Sequence, residues 1–366
     1  MQRRAFLETS LGYALASPLL AAVHKQRWGD AVDVLEQAVA KKQVESAVLH
    51  VIHKGESFTR AFGKAGSPDA MFLIASISKP INVAAVMTLY DQKQFRLDDP
   101  VRKYLPQFTG EGRDKVTIRH LLTHVSGLPD QLPNNQELRK QHAPLSEFVK
   151  HALEAKLAFV PGTKYQYSSM GILLAVRIAE VLTDMDHRTL VERKIFQPLG
   201  MKHSAQGLGR FQLSDMVPCQ LAGAAPESGS GDPKAKYWDW NSLYWRKLGV
   251  PWGGTHSSGP DVGRFLLEFL EARGQALKPA TARLMIRNHN PKGIAPRGLG
   301  FNVGEKAGSP GCSPSTFGHT GSTGTLCWAD PETKTVCVVL TSLPARAARP
   351  HPRALAAAKI AAAVRR

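Results

Sequence analysis

The chain has 366 residues, 43% hydrophobic and 21% charged, which suits a globular protein with room for two lobes or one large domain. Forty-seven Lys and Arg against 30 Asp and Glu leave a net charge of +17. The basic residues are scattered, with a modest concentration over 346–366, no Lys/Arg block and no zinc-finger spacing. Composition therefore argues against nucleic-acid binding and for a basic surface suited to work beside anionic cell wall or lipid.

The first residues, Met1-Gln2-Arg3-Arg4-Ala5-Phe6-Leu7, put a twin arginine before Phe-Leu and the apolar run Leu11–Val23. Over residues 1–24 this pattern reads as a bacterial twin-arginine export signal. Pro18 interrupts the run, which is too short to span a bilayer comfortably. The expected destination is the periplasm or the extracellular space. No other stretch is a transmembrane candidate, and residues 25–366 are expected to form one domain.

Val32, Leu35 and Val39 give a helical period over 28–42. Residues 44–54 and 57–62 read as two strands around the turn Lys54-Gly55-Glu56. Next comes 71–87, MFLIASISKPINVAAVM, an apolar approach and then a helix. Pro80 is tolerated only near a helix start, so Ser76 sits at or beside the N-terminus and Lys79 one turn on. Side chains three apart on a helix are neighbours, so the Lys79 amine can reach the Ser76 hydroxyl. A lysine in a desolvated site can lose its proton and act as the base that serine lacks.

A short amphipathic helix ending in a Ser-Gly turn is expected within Val116–Asp130, and further helices over 145–159, 170–182, 189–196 and 260–272, with a short one inside 95–108. Residues 222–236, rich in Gly, Ala, Ser and Pro, read as a mobile loop. The aromatic run Tyr237–Trp245 behind it is either a packed cap or a wall over a pocket. His124 and His256 read as packing or turn residues. In the last third, 299–304, 316–329 and 335–343 read as strands and 354–364 as an Ala-rich helix. Strands at both ends with helices between imply an antiparallel sheet built from both termini. Cys219, Cys312, Cys327 and Cys337 show no metal-ligand spacing, so no metal is expected. Cys327 and Cys337 flank the turn 330–333 and could face each other across a hairpin, where export would permit a disulfide.

Several separated stretches then agree with one family pattern: Ser76-Ile77-Ser78-Lys79-Pro80, Leu121–Pro129 (LLTHVSGLP), Pro161-Gly162-Thr163 with Tyr167-Ser168-Ser169, Gly253-Gly254, and Gly318–Gly324 (GHTGSTG). On them the chain resembles the serine β-lactamase and penicillin-binding-protein superfamily over about 28–343. The branch it is similar to holds class C β-lactamases, D-alanyl-D-alanine carboxypeptidases and β-lactamase-like esterases. The resemblance implies an α+β sandwich: an antiparallel sheet flanked by helices, plus an inserted all-helical lobe. The sheet lobe would take about 25–95 and 275–366, the helical lobe about 96–274.

By the same resemblance Ser76 is the nucleophile, Lys79 its base or proton shuttle, and Tyr167 a proton relay. The oxyanion hole would be the backbone N–H groups of Ser76 and Ser322. Ser169, His319, Thr320 and Gly321 would bind substrate, with His319 and Thr320 holding its carboxylate or carbonyl end. Two departures matter: Ser169 stands where the family motif has Asn, and His319 replaces the Lys of Lys-Thr-Gly. Both lean away from a β-lactamase. The implied function is an exported serine hydrolase that cleaves esters or D-Ala-type peptide or amide bonds through an acyl-enzyme. The alternatives are a true β-lactamase and a penicillin-binding sensor. The expected partner is a small-molecule or peptide substrate, cell-wall peptide included, with no cofactor and no nucleic acid. An α/β-hydrolase is a poor third reading, because the chain has no Gly-x-Ser-x-Gly elbow.

Overall fold

A computed structural model describes residues 16–365; the twin arginine lies outside them. Helix α1 (Ala16–Ala40) crosses position 24 without a break, so the expected end of the export signal falls inside a helix. The hairpin of β1 (Ser46–His53) and β2 (Glu56–Gly63) follows. Then the short strand β3 (Phe72–Leu73) leads through a 3₁₀ turn, Ala75–Ile77, into α2 (Ser78–Asp91).

The helical lobe is α3 (Ile118–Leu122), α4 (Asn135–Lys140), α5 (Leu145–Glu154), α6 (Ser169–Thr183) and α7 (His187–Val191). After it come β4 (Ser204–Gln206), α8 (Leu243–Leu248), β5 (Thr255–Ser257), α9 (Gly259–Leu270) and α10 (Pro279–Met285). The chain ends in β6 (Asn302–Val303), β7 (Phe317–Gly321), β8 (Thr325–Asp330), β9 (Thr335–Thr341) and α11 (Pro352–Ala363).

The main sheet is antiparallel in the order β2-β1-β9-β8-β7-β6, so β1 of the N-terminal part pairs with β9 of the C-terminal part, as expected. Strand alternation sends successive side chains to opposite faces. Val336, Val338 and Leu340 of β9 join the core under α9 and the helical lobe. Cys337 and Val339 point the other way, into a second core with Leu35 of α1 and Ala356 and Ile360 of α11. This alternation corrects one expectation. Cys327 is opposite Val338 and Cys337 opposite Trp328, so the two cysteines lie in different cores on opposite faces of the sheet. All four cysteines are free and buried.

Three further segments differ from expectation. The strand expected over 316–329 is a hairpin, β7 and β8, that reverses at Ser322-Thr323-Gly324. Gly324 makes the turn at φ +103°, where an added Cβ would run into the Leu343 carbonyl. Helix α9, assigned to the helical lobe by a boundary near 274, packs on β1, β8 and β9 and belongs with the sheet. Its Phe265 and Phe269 form an aromatic cluster with Phe301 and Phe317. Finally, 222–236 is anchored rather than loose. Ala225, Ser228 and Ala235 are buried, and Arg139 of α4 donates to the Glu227 carbonyl.

Candidate active site

A second, three-stranded sheet, β3-β5-β4, sets the approach to Ser76. Phe72 and Leu73 pair with Ser257 and His256, and the Ile74 N–H donates to Thr255 O at 3.0 Å. Ala75 then takes a left-handed φ of +47°. For a residue with a Cβ this costs about 1–3 kcal/mol, and the surrounding packing must hold it. Ser76 follows in the 3₁₀ turn, and its N–H is among the first of that helical segment, where backbone donors lack intrahelical acceptors.

Lys79 is 1% exposed, and its Nζ donates to Ser76 Oγ at 3.0 Å and to the Trp252 carbonyl at 3.0 Å. Burial lowers its pKa to about 7; the Asp130 charge raises it, and Arg297 lowers it further. Lys79 can thus be neutral and accept a proton near neutral pH. Tyr167 precedes α6, whose N-cap Ser168 accepts from the Gly171 N–H at 2.8 Å. Its ring centroid lies 4.7 Å from Lys79 Nζ and 4.6 Å from the buried His124 ring. Burial raises the phenol pKa above its ordinary value against the opposing effects of Arg297 and a hydrogen bond to Ser76. Tyr167 therefore rests as a protonated phenol, and Lys79 is the better base. His124 accepts from the Ser168 N–H at 3.2 Å and packs, as expected of it.

Ser322 sits just past β7, and its N–H has no acceptor among the described residues. Gly321 lets this edge come close: a Cβ there would collide with Thr325 Oγ1 and Ile74 O. Arg353 of α11 donates to the Gly321 carbonyl and to Thr325 O, the latter at 2.7 Å, and so braces the β7–β8 turn from behind.

Two cavities flank Ser76 and share Tyr167, Ser322 and Ala345. One, about 240 Å³, is walled by Trp240, Trp245 and Trp252 and also holds Ser169 and Asp130. The aromatic run thus supplies both packing and a pocket wall, while Tyr237 is exposed. The other cavity, about 290 Å³, is lined by His319, Thr320, Gly321, Arg297 and Arg353. His319 is neutral: burial and Arg297 hold its pKa well below the usual value. Its Nε2 takes a hydrogen bond from Arg297 Nη2 at 2.9 Å. Arg297 also donates to Asn302 Oδ1, and its Nε has no partner. Among the described residues no carboxylate lies within 4 Å of this buried guanidinium.

The structure thus brings the other seven expected site residues around Ser76 and adds three that the sequence reading missed: Arg297, Arg353 and Asp130. Asp130 is the residue after the stretch Leu121–Pro129, and the short Ser169 was its one signal; Arg297 and Arg353 stand alone in sequence. Away from this site, Glu180, Asp186 and His187 gather on the helical lobe. His187 spends one ring nitrogen on Glu180 and the other on the Gly249 carbonyl, so the group is already satisfied without an ion.

A family model described as Beta-lactamase matches residues 31–362. Esterase EstB of Burkholderia gladioli is 34% identical over 193 residues, 46% of this chain and 49% of its own length, so the match spans about half of that esterase. A protein of Salmonella enteritidis PT4 designated a D-alanyl-D-alanine carboxypeptidase is 28% identical over 307 residues, 75% of this chain and 70% of that protein. D-amino acid amidase of Ochrobactrum anthropi SV3 superposes with a TM-score of 0.74 at 20% identity, over 93% of this chain and 99% of the other. The likeness to the amidase is one of fold.

Proposed function

The chain belongs to the Beta-lactamase family, and from that premise we propose that it is a serine hydrolase that cleaves esters or D-Ala-type peptide bonds through an acyl-enzyme on Ser76. The observation that carries this reading is the 3.0 Å hydrogen bond from Lys79 to Ser76, made by an amine whose pKa burial has brought to about 7. Neutral Lys79 takes the Ser76 proton as Oγ bonds to the substrate carbonyl carbon. The oxyanion forms against the N–H groups of Ser76 and Ser322. Tyr167 relays a proton to the leaving oxygen or nitrogen as its bond to the acyl carbon breaks. Water then attacks the acyl ester and returns the proton to Ser76.

Two features favour esters and D-Ala peptides over β-lactams. Ser169 donates its hydroxyl to Asp130 at 2.6 Å, so it is not free to grip an acylamide side chain. Arg297 supplies a buried cation, without a carboxylate partner among the described residues, on the other side of Ser76, where the carboxylate of a D-Ala leaving group would lie. The N-terminal twin arginine supports work outside the cytoplasm, and no helix of the described residues is long and apolar enough to cross a membrane.

The test is covalent labelling with a fluorophosphonate alongside turnover of p-nitrophenyl acetate. Ser76→Ala should abolish both and keep the thermal transition of the parent protein. Undiminished labelling of the variant would remove Ser76 from the mechanism.

A further inference from the structure

We propose that the tryptophan-walled cavity selects substrates whose acyl part carries a protonated amine, and that Asp130 is the anion that receives it. This rests on the acyl-enzyme reading above. Asp130 is held in place by one oxygen alone: Oδ1 accepts from the Ser169 N–H at 3.1 Å and from Ser169 Oγ at 2.6 Å. Among the described residues Oδ2 accepts no hydrogen bond, and no Lys, Arg or His nitrogen lies within 4 Å of the carboxylate. The plain account of Asp130 is a helper cap on the first turn of α6. An Asn would cap as well through its carbonyl oxygen. The cap explains Oδ1 and leaves both the charge and Oδ2 without a use.

The surroundings fit an ammonium. Asp130 shares its cavity with Ser76 and with the rings of Trp240, Trp245 and Trp252, whose faces attract cations and whose bulk excludes water. The other charged groups there do not compete. Arg139 lies 3.7 Å over the Trp245 ring, and its Nη1 and Nη2 donate to the Glu227 and Trp238 carbonyls while Nε has no partner. Arg346 is an exposed rim residue. Glu227 also lines the cavity, where its charge interacts with Arg139.

An unpaired Asp130 also hinders the proposed chemistry, because its charge favours the protonated form of Lys79. An ammonium bound on Asp130 would cancel that field as the substrate arrives. The amine keeps its proton throughout. The bond that forms is from Ser76 Oγ to the acyl carbon. The bond that breaks joins that carbon to the leaving atom, which takes the proton from Ser76 by way of Lys79 and Tyr167. Asp130 and Ser169 thus choose the acyl group, while Arg297 faces the leaving group.

The experiment measures inhibition of p-nitrophenyl acetate hydrolysis by D-leucinamide and by its N-acetyl form. At about pH 7, below the usual α-amino pKa, the free amine should inhibit at least about tenfold more tightly. The advantage should fade as pH rises past about 8 and the amine loses its charge. Asp130→Asn, which keeps the cap on Ser169, should collapse the ratio of the two inhibition constants, and Asp130→Glu should restore part of it. Equal inhibition by both compounds, inhibition by neither, or a ratio unmoved in Asp130→Asn would overturn the proposal. If p-nitrophenyl acetate is not hydrolysed and fluorophosphonate does not label Ser76, the hydrolase reading itself fails first.

Discussion

Arg297 Nη2 donates to His319 Nε2 at 2.9 Å, while the Nδ1–H of the same ring donates to the Thr320 carbonyl at 2.8 Å. An imidazole that accepts at one nitrogen and donates at the other is neutral. On the proposed function, the grip on a substrate carboxylate that the resemblance implies for His319 would pass to Arg297. Arg297→Ala should lower kcat/KM for a peptide ending in D-Ala-D-Ala by at least about tenfold, the value of a lost hydrogen bond to a charged group. Hydrolysis of a short-chain ester, which has no carboxylate, should fall much less. Amidating the peptide C-terminus should reproduce the loss in the parent protein. Equal losses for ester and peptide would show that Arg297 only supports the fold.

On the proposed mechanism, Lys79 should give the acylation step its pH dependence. With a pKa near 7, it is a protonated non-base in acid and a neutral base above that value. Ester kcat/KM should rise with pH through a limb centred near 7 and then level off. Tyr167, whose pKa burial raises, should add no limb in this range. Asp130 holds a proton on Lys79, so Asp130→Asn should move the limb to lower pH. A limb near the ordinary lysine value in the parent protein would remove Lys79 as the base.

The sheet was legible because its register follows from alternation. Val48, Val51, Val336 and Val338 have to divide between two faces, and β1 against β9 satisfies both cores. Ser76 and Lys79 were legible by their spacing of three at a helix start, and Tyr167 through the ordered motifs that the chain shares with the family. Asp130, Arg297 and Arg353 were not. Each contacts a residue between 22 and 39 positions away: Asp130 with Ser169, Arg297 with His319, Arg353 with Gly321. No local pattern encodes such pairs. The hairpin at Ser322-Thr323-Gly324 was missed because the β-rich run is broken by a turn of three small residues. The packing of 222–236 was missed because its anchor, Arg139, comes from α4.

The export reading rests on Arg3 and Arg4 with the apolar run behind them, and the arginines can be tested by themselves. Replacing both with Lys should retain the full-length protein in the cytoplasm of a bacterial host, while the parent is found outside it. Cell fractionation with a cytoplasmic marker decides the matter. Normal export of the double variant would show that another route reads the N-terminus.

Arg353 ties the C-terminal helix to the β7–β8 turn, the proposed oxyanion side of the site. Its guanidinium donates to the carbonyls of Gly321 and Thr325, on either side of the turn that carries the Ser322 N–H. Both bonds come from one nitrogen, Nη1, held in place by the rigid guanidinium plane, whereas a Lys ammonium at 353 would sit on a flexible stem and not fix the two carbonyls. Arg353→Lys should therefore lower kcat for esters by about tenfold or more through a displaced oxyanion donor, with KM little changed. A larger effect on KM than on kcat would assign Arg353 to substrate binding in its cavity instead.

Lys79 should also cost the protein stability, in a way that depends on pH. Folding takes this amine from an ordinary pKa of 10.5 to about 7. Between those values the unfolded chain holds a proton that the folded protein lacks, so stability rises with pH across that window. Below about 7 the folded protein carries a buried charge, and the cost of burial is felt in full. Lys79→Met removes the charge and keeps most of the volume. The variant should be inactive and should melt higher than the parent. Its gain in Tm should be larger by a few °C at about pH 6 than at about pH 9.5. The Trp252 carbonyl loses its donor in the variant. That loss is the same at both pH values and cancels from the difference. Thermal melts of the two proteins at the two pH values decide it: a gain no larger in acid than in base would mean that Lys79 is not held near neutrality in the folded site.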